Sequence, residues 1–123
     1  MASLRQVQPV IMSRDVEASI RFYAKLGFEP VFRDDPDRVR YAGVRRDGVD
    51  LHLQWHDAKE WESPNDRPTY RFVVVDDDDR LWAEFRGRGI VSDITEVRDT
   101  PWGTREFHVR DPDRNGLQFY RDL

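Results

Sequence analysis

Apolar residues along this chain change period in an order that occurs twice. VQPVIM (7–12) reads as a first strand, with Pro9 near its start, where a missing N–H is tolerated. In RDVEASIRFYAKLGF (14–28), Val16, Ile20 and Tyr23 recur at helical spacing, with Ser19, Phe22 and Leu26 beside them. Asp15 is placed to cap that helix and Gly27 to stop it. Three short strands are expected next, at 29–33, 39–46 and 49–55, separated by the turn residues DDPD and DG.

A polar, proline-bearing stretch, 56–68, reads as a connector, and the pattern then restarts. Residues 70–75 read as a strand. Residues 76–89 read as a helix with Leu81, Trp82 and Phe85 on its packing face, and core packing is the expectation for Trp82. Strands are expected at 90–98, 104–110 and 116–122, with DPDRN turning between the last two. Asp15 precedes Gly27 by 12 residues, and Asp77 precedes Gly89 by 12. DGVDLHL answers RNGLQFY. The pattern is β-α-β-β-β twice, a weak internal repeat supported by the order of its elements. One domain over 1–123 is expected, with module one at 1–60, the connector at 56–68 and module two at 69–123.

Charge narrows the function. The chain carries 20 basic and 24 acidic residues, a net charge of −4, which argues against a nucleic-acid partner. With no cysteine, disulfides, thiolate metal sites and cysteine nucleophiles are excluded. No apolar run approaches the roughly 18 residues a membrane span needs, and the start lacks a secretory pattern. A cytoplasmic protein is the expectation. The run Asp76 to Asp79 suits the first turn of a helix, where the dipole favours acids, and lacks the glycine and distal glutamate of a calcium loop. His56 is expected to be solvated. His108 alternates with Glu106 and Arg110, and reads as a hydrogen-bonded strand residue rather than a ligand or base. No Ser-His-Asp arrangement stands out by spacing.

SRDVEASIRFYAKLGFEPVF, YAGVRRDGVDLHL and TPWGTREFHVRDPDRNGLQFY together resemble the vicinal oxygen chelate superfamily of glyoxalases, dioxygenases and bleomycin-resistance proteins. The resemblance spans nearly the whole chain, and TPWGTREF points to the bleomycin-binding branch. It implies an α+β fold of two βαβββ modules, each a curved, incomplete barrel, and a two-fold homodimer with clefts at its interface. In that branch the N-terminal strand with its proline is exchanged between protomers.

Carried onto this chain, the superfamily's four metal-ligand positions fall on Gln8, Asp50, Tyr70 (or Thr69) and Gln118, with His52 on the same face as Asp50. Only Asp50 is an ordinary ligand for a divalent ion. No metal or cofactor is therefore expected, and binding is favoured over catalysis. The resemblance implies that Trp102 and Tyr41 stack on a planar ligand. Phe32 and Phe72 are implied as further cleft aromatics and Gln54 as a polar cleft residue. Asp34 and Asp35 lie in an acidic loop suited to a cationic tail. Gly103 lets the loop turn beside Trp102. Trp102 as a plug of the core or dimer seam is the alternative, and Trp55 and Trp61 are placed to rim or cover the cleft. Arg33, Arg38 and Arg40 bring positive charge near the stack, which opposes a cationic drug.

The expected function is sequestration of a planar, cationic, bleomycin-like drug or a related aromatic ligand. The alternatives are a divalent-metal-dependent isomerase, lyase or dioxygenase of the superfamily, and a dimerising domain that has lost its ligand.

Overall fold

Two aspartates start the two helices in the same way. In a computed structural model, which describes residues 1–61 and 67–123 apart from the side chain of Trp61, Asp15 accepts a hydrogen bond from the Ala18 N–H at 3.1 Å and Asp77 one from the Arg80 N–H at 3.0 Å. Each satisfies a donor that the first helical turn leaves unpaired. The chain divides into two compact units, residues 1–57 and 58–123.

The first unit runs β1 (Val10–Ser13), α1 (Val16–Lys25), β2 (Glu29–Arg33), β3 (Tyr41–Arg46) and β4 (Val49–Trp55). Its sheet order is β1-β4-β3-β2, with β1 parallel to β4 and the other pairs antiparallel. The period-two alternation of the strands divides their side chains between two faces. Ile11, Ala42, Val44, Leu51 and Leu53 are buried on one face, with Val16, Ile20 and Tyr23 of α1 buried against it. Each of the valine, leucine and isoleucine side chains contributes about 1.5–3 kcal/mol on burial. The other face carries Val10, Met12, Phe32, Tyr41, Gly43, Asp50, His52 and Gln54.

The second unit repeats the topology. A 3₁₀ turn (Ala58–Trp61) precedes β5 (Thr69–Val73), α2 (Asp78–Gly87), β6 (Arg98–Asp99), β7 (Thr104–Arg110) and β8 (Gly116–Asp122). The order is β5-β8-β7-β6, again with the first strand parallel to the last. The fold is thus α+β, two four-stranded mixed sheets each with one helix, and neither sheet is a closed barrel. The rest of the expected connector, residues 62–66, and the side chain of Trp61 lie outside the described residues.

Three expectations need correction. The first strand begins at Val10 rather than residue 7, because Pro9 contributes only its carbonyl, which accepts from the His52 N–H at 3.0 Å. The strand expected at 90–98 shrinks to Arg98–Asp99, with one isolated bridge between Ile94 and Val109. Asp93 breaks its extended course with φ +56°, and its carbonyl accepts from the Arg110 N–H. Trp82 is half-buried rather than in the core. Its indole N–H donates to the Thr95 carbonyl at 2.9 Å, while Phe85 alone among the three expected apolar residues of α2 is buried.

The DPDRN turn is built on one buried carboxylate. Asp111 accepts from the backbone N–H groups of Asp113 and Asn115 and from the Asn115 side-chain amide, each at 2.9 Å. That is the side-chain-to-backbone turn chemistry its composition predicts.

Candidate functional site

On the open face of the first unit, the register places Phe32 opposite Gly43, and Gly43 opposite His52. A Cβ at position 43 would lie 2.3 Å from Cε1 of Phe32, so only glycine leaves room for that ring. Phe32 lies nearly parallel to Tyr41, with centroids 6.1 Å apart, and edge-on to His52 at 5.2 Å. The Tyr41 hydroxyl and His52 Nδ1 share a hydrogen bond of 2.7 Å. Phe32 remains 42% exposed. The result is an aromatic platform with an imidazole in its floor. Gln54 extends the face as the register partner of Tyr41.

The acidic loop is stiffened by its own carboxylates. Asp34 Oδ1 accepts from the N–H groups of Asp35 and Arg40, at 2.8 and 2.9 Å, and the Asp34 N–H donates to the Tyr41 carbonyl. The Arg40 N–H leads the interactions that lower the Asp34 pKa, so its charge persists. Asp35 accepts from the Asp37 N–H at 2.9 Å. Both acids are exposed. Two of the arginines expected to oppose a cation are engaged elsewhere. Arg33 pairs with Glu17 at 3.2 Å, and Arg40 lies 3.9 Å from the centroid of the Trp55 ring.

In the second unit Trp102 is 59% exposed, and the Arg98 guanidinium lies 6.0 Å from its ring centroid. The loop beneath it is closed by paired threonines. The Thr100 N–H donates to the Thr104 carbonyl at 2.7 Å, the Thr104 N–H to Thr100 Oγ1 at 3.1 Å, and the two hydroxyls meet at 2.7 Å. Gly103 takes φ +88°, where a Cβ would be strained, and its carbonyl accepts from the Leu123 N–H. An exposed indole on so closed a loop loses little freedom when a ligand stacks on it.

Thr104 continues into a network the sequence reading missed. Its hydroxyl donates to Glu106 Oε2 at 2.8 Å, His108 Nε2 lies 2.9 Å from Glu106 Oε1, and Arg71 lies 3.5 Å from Oε2. Glu106 is buried, at 1% exposure. Desolvation raises its pKa, but hydrogen bonds from His108 and Thr104 and the nearby charges outweigh that, and the net shift is downward. Glu106 and His108 were visible as alternating positions in TREFHVR. Their convergence with Arg71 depends on strand register across β5, β8 and β7. Phe72 stacks on Phe119, with centroids 4.8 Å apart, on the face where Phe119 also meets Phe85 of α2. It therefore lies on the opposite face from Glu106, His108 and Gln118.

The superfamily's metal positions do not fit a divalent ion here. Within the first unit, Gln8 donates its amide N–H to the Asp50 carbonyl at 3.0 Å, and the Asp50 carboxylate is bound by Arg45 at 2.7 Å. Within the second, burial and the charge of Asp111 push the Tyr70 phenol up, making the phenolate harder to form. Gln118 offers only a neutral amide. Among the described residues, no group of three or more His, Cys, Asp or Glu converges on a common point.

The chain is similar to known proteins along nearly its whole length. The family model "Glyoxalase/Bleomycin resistance protein/Dioxygenase superfamily" matches residues 5–119. A bleomycin resistance protein from Geobacillus stearothermophilus is 31% identical over 130 residues, covering 94% of this chain and 95% of its own. The crystal structure of a bleomycin-binding protein complexed with bleomycin shares the fold, with TM-score 0.79, 23% identity, and coverage of 98% of this chain and 100% of that one. A bleomycin-binding protein from bleomycin-producing Streptomyces verticillus, complexed with copper(II)-bleomycin, has TM-score 0.73 and 30% identity, with 97% of each chain covered.

Proposed function

Because this chain belongs to the Glyoxalase/Bleomycin resistance protein/Dioxygenase superfamily, we propose that it is a non-catalytic binding protein that sequesters a planar, cationic drug of the bleomycin type. The observation that carries the proposal is Trp102, an exposed indole on a loop closed by Thr100 and Thr104. Its flat π face is suited to a flat heteroaromatic ligand. Phe32 and Tyr41 offer aromatic surface of the same kind in the first unit, with Gln54 beside them. Asp34 and Asp35 supply negative charge for a cationic tail.

The mechanism is stoichiometric. Stacking on the exposed Trp102 indole holds the drug and removes it from solution. Relatives with bleomycin resistance and bleomycin-binding proteins solved with the drug support this reading. A homodimer acting in the cytoplasm is part of the proposal, and light scattering on the purified protein tests the assembly.

Thermal denaturation tests the function. Metal-free bleomycin at a hundredfold excess over its dissociation constant stabilises a one-site binder by about 2.7 kcal/mol. The native chain should show the corresponding rise in Tm, and a folded Trp102→Ala variant should lose most of it. No shift in the native chain, or an equal shift in the variant, contradicts the proposal.

A further inference from the structure

Arg71, Gln118 and His108 are register partners across three adjacent strands, β5, β8 and β7. Neighbouring strands lie about 4.8 Å apart, so the row spans about 10 Å. All three side chains share the face that carries Glu106, and each is at least partly exposed.

Their hydrogen-bonding roles follow from the buried carboxylate. Ionised Glu106 only accepts, so His108 Nε2 carries the proton and donates to it. In that tautomer the other ring nitrogen, Nδ1, is the acceptor. Arg71 is held flat over the Tyr120 ring, 4.0 Å from its centroid, and only donates. Gln118, between them, both donates and accepts. Its side chain forms no hydrogen bond with any described residue. The row therefore reads donor, donor-acceptor, acceptor. Arg71 and Glu106 offset each other's charge.

We propose that this row is a subsite for a neutral amide, either a primary carboxamide or a ring lactam, carried by the bound ligand. The amide oxygen is placed to accept from Arg71 and the Gln118 N–H, and the amide N–H to donate to Gln118 Oε1 or His108 Nδ1. A carboxylate leaves His108 Nδ1 facing a second acceptor, and an ester has no N–H for either. The inference rests on the reading of the chain as a small-molecule binder and adds a polar group that the ligand must present.

The test is a nuclear magnetic resonance titration of the full chain with benzamide, benzoate and methyl benzoate near pH 7.5. Benzamide should shift the Gln118 side-chain amide and the His108 ring signals, and bind about fivefold more tightly than either analogue, the discrimination expected of one or two net hydrogen bonds. Gln118→Leu should abolish that preference while leaving the backbone spectrum folded. Benzoate binding as tightly as benzamide, or a preference surviving in Gln118→Leu, overturns the proposal. The bleomycin thermal shift on the same samples separates the two readings. A lost shift with the amide preference intact overturns sequestration alone, and an intact shift without the preference overturns the amide subsite alone.

Discussion

The Tyr41 hydroxyl meets Nδ1 of His52 at 2.7 Å, while the two rings stand nearly perpendicular, 78° apart. The bond fixes the phenol ring against the sheet and holds it beside Phe32. Tyr41→Phe keeps the ring and removes the bond, so it should cost about 1 kcal/mol in stability. Bleomycin affinity should fall a few-fold as the ring gains freedom. Denaturant unfolding and binding, measured on the same preparation, check both.

Gly43 makes the platform sterically possible. Gly43→Ala should displace the Phe32 ring and cost about 1–3 kcal/mol, the range for overpacking, with the lower end expected because the ring is already part-exposed. Its effect on ligand affinity should exceed the effect of Tyr41→Phe. Near-ultraviolet circular dichroism of the variant should change while the far-ultraviolet spectrum is kept.

Much of the fold was legible in the sequence because its signals are local. Val16, Ile20 and Tyr23 mark the buried face of α1, and Asp15 and Asp77 cap the helices that their positions predicted. The third strand of the second half misled, because Val91 and Ile94 imitate a strand that Asp93 interrupts. Phe32 and Tyr41 stack on one face of the first unit, and Trp102 is exposed on its loop. Phe72 is not distinguishable by composition from a cleft aromatic, and its pairing with Phe119 fixes its face. Glu106 was visible only as an alternating neighbour of His108, because Arg71 reaches it from β5 across β8.

Asp111 organises the last hairpin through three hydrogen bonds from a buried position. Asp111→Ala leaves those donors without their acceptor and should cost about 3 kcal/mol or more. Chemical denaturation measures it, and Asp111→Asn should recover part of the loss.

Glu106 makes acid stability readable. Its folded pKa is lowered, so its contribution is complete above the ordinary glutamate value of about 4.3 and is lost as pH falls through the lower folded value. Asp78 acts with the opposite sign. Burial raises its pKa against the pull of Arg121, so stability rises as pH falls through that raised value. The difference between the native chain and Glu106→Gln isolates the first effect. The variant should be less stable at pH 7, and the gap should narrow below about pH 4. A gap independent of pH contradicts the assignment.

Sequestration is tested most directly by a calorimetric titration of metal-free bleomycin into the purified full chain. Saturable binding near one drug per chain, strongly weakened in Trp102→Ala, is the predicted result. No heat of binding at several temperatures, together with no competition against an aromatic probe, would contradict sequestration of a bleomycin-type drug.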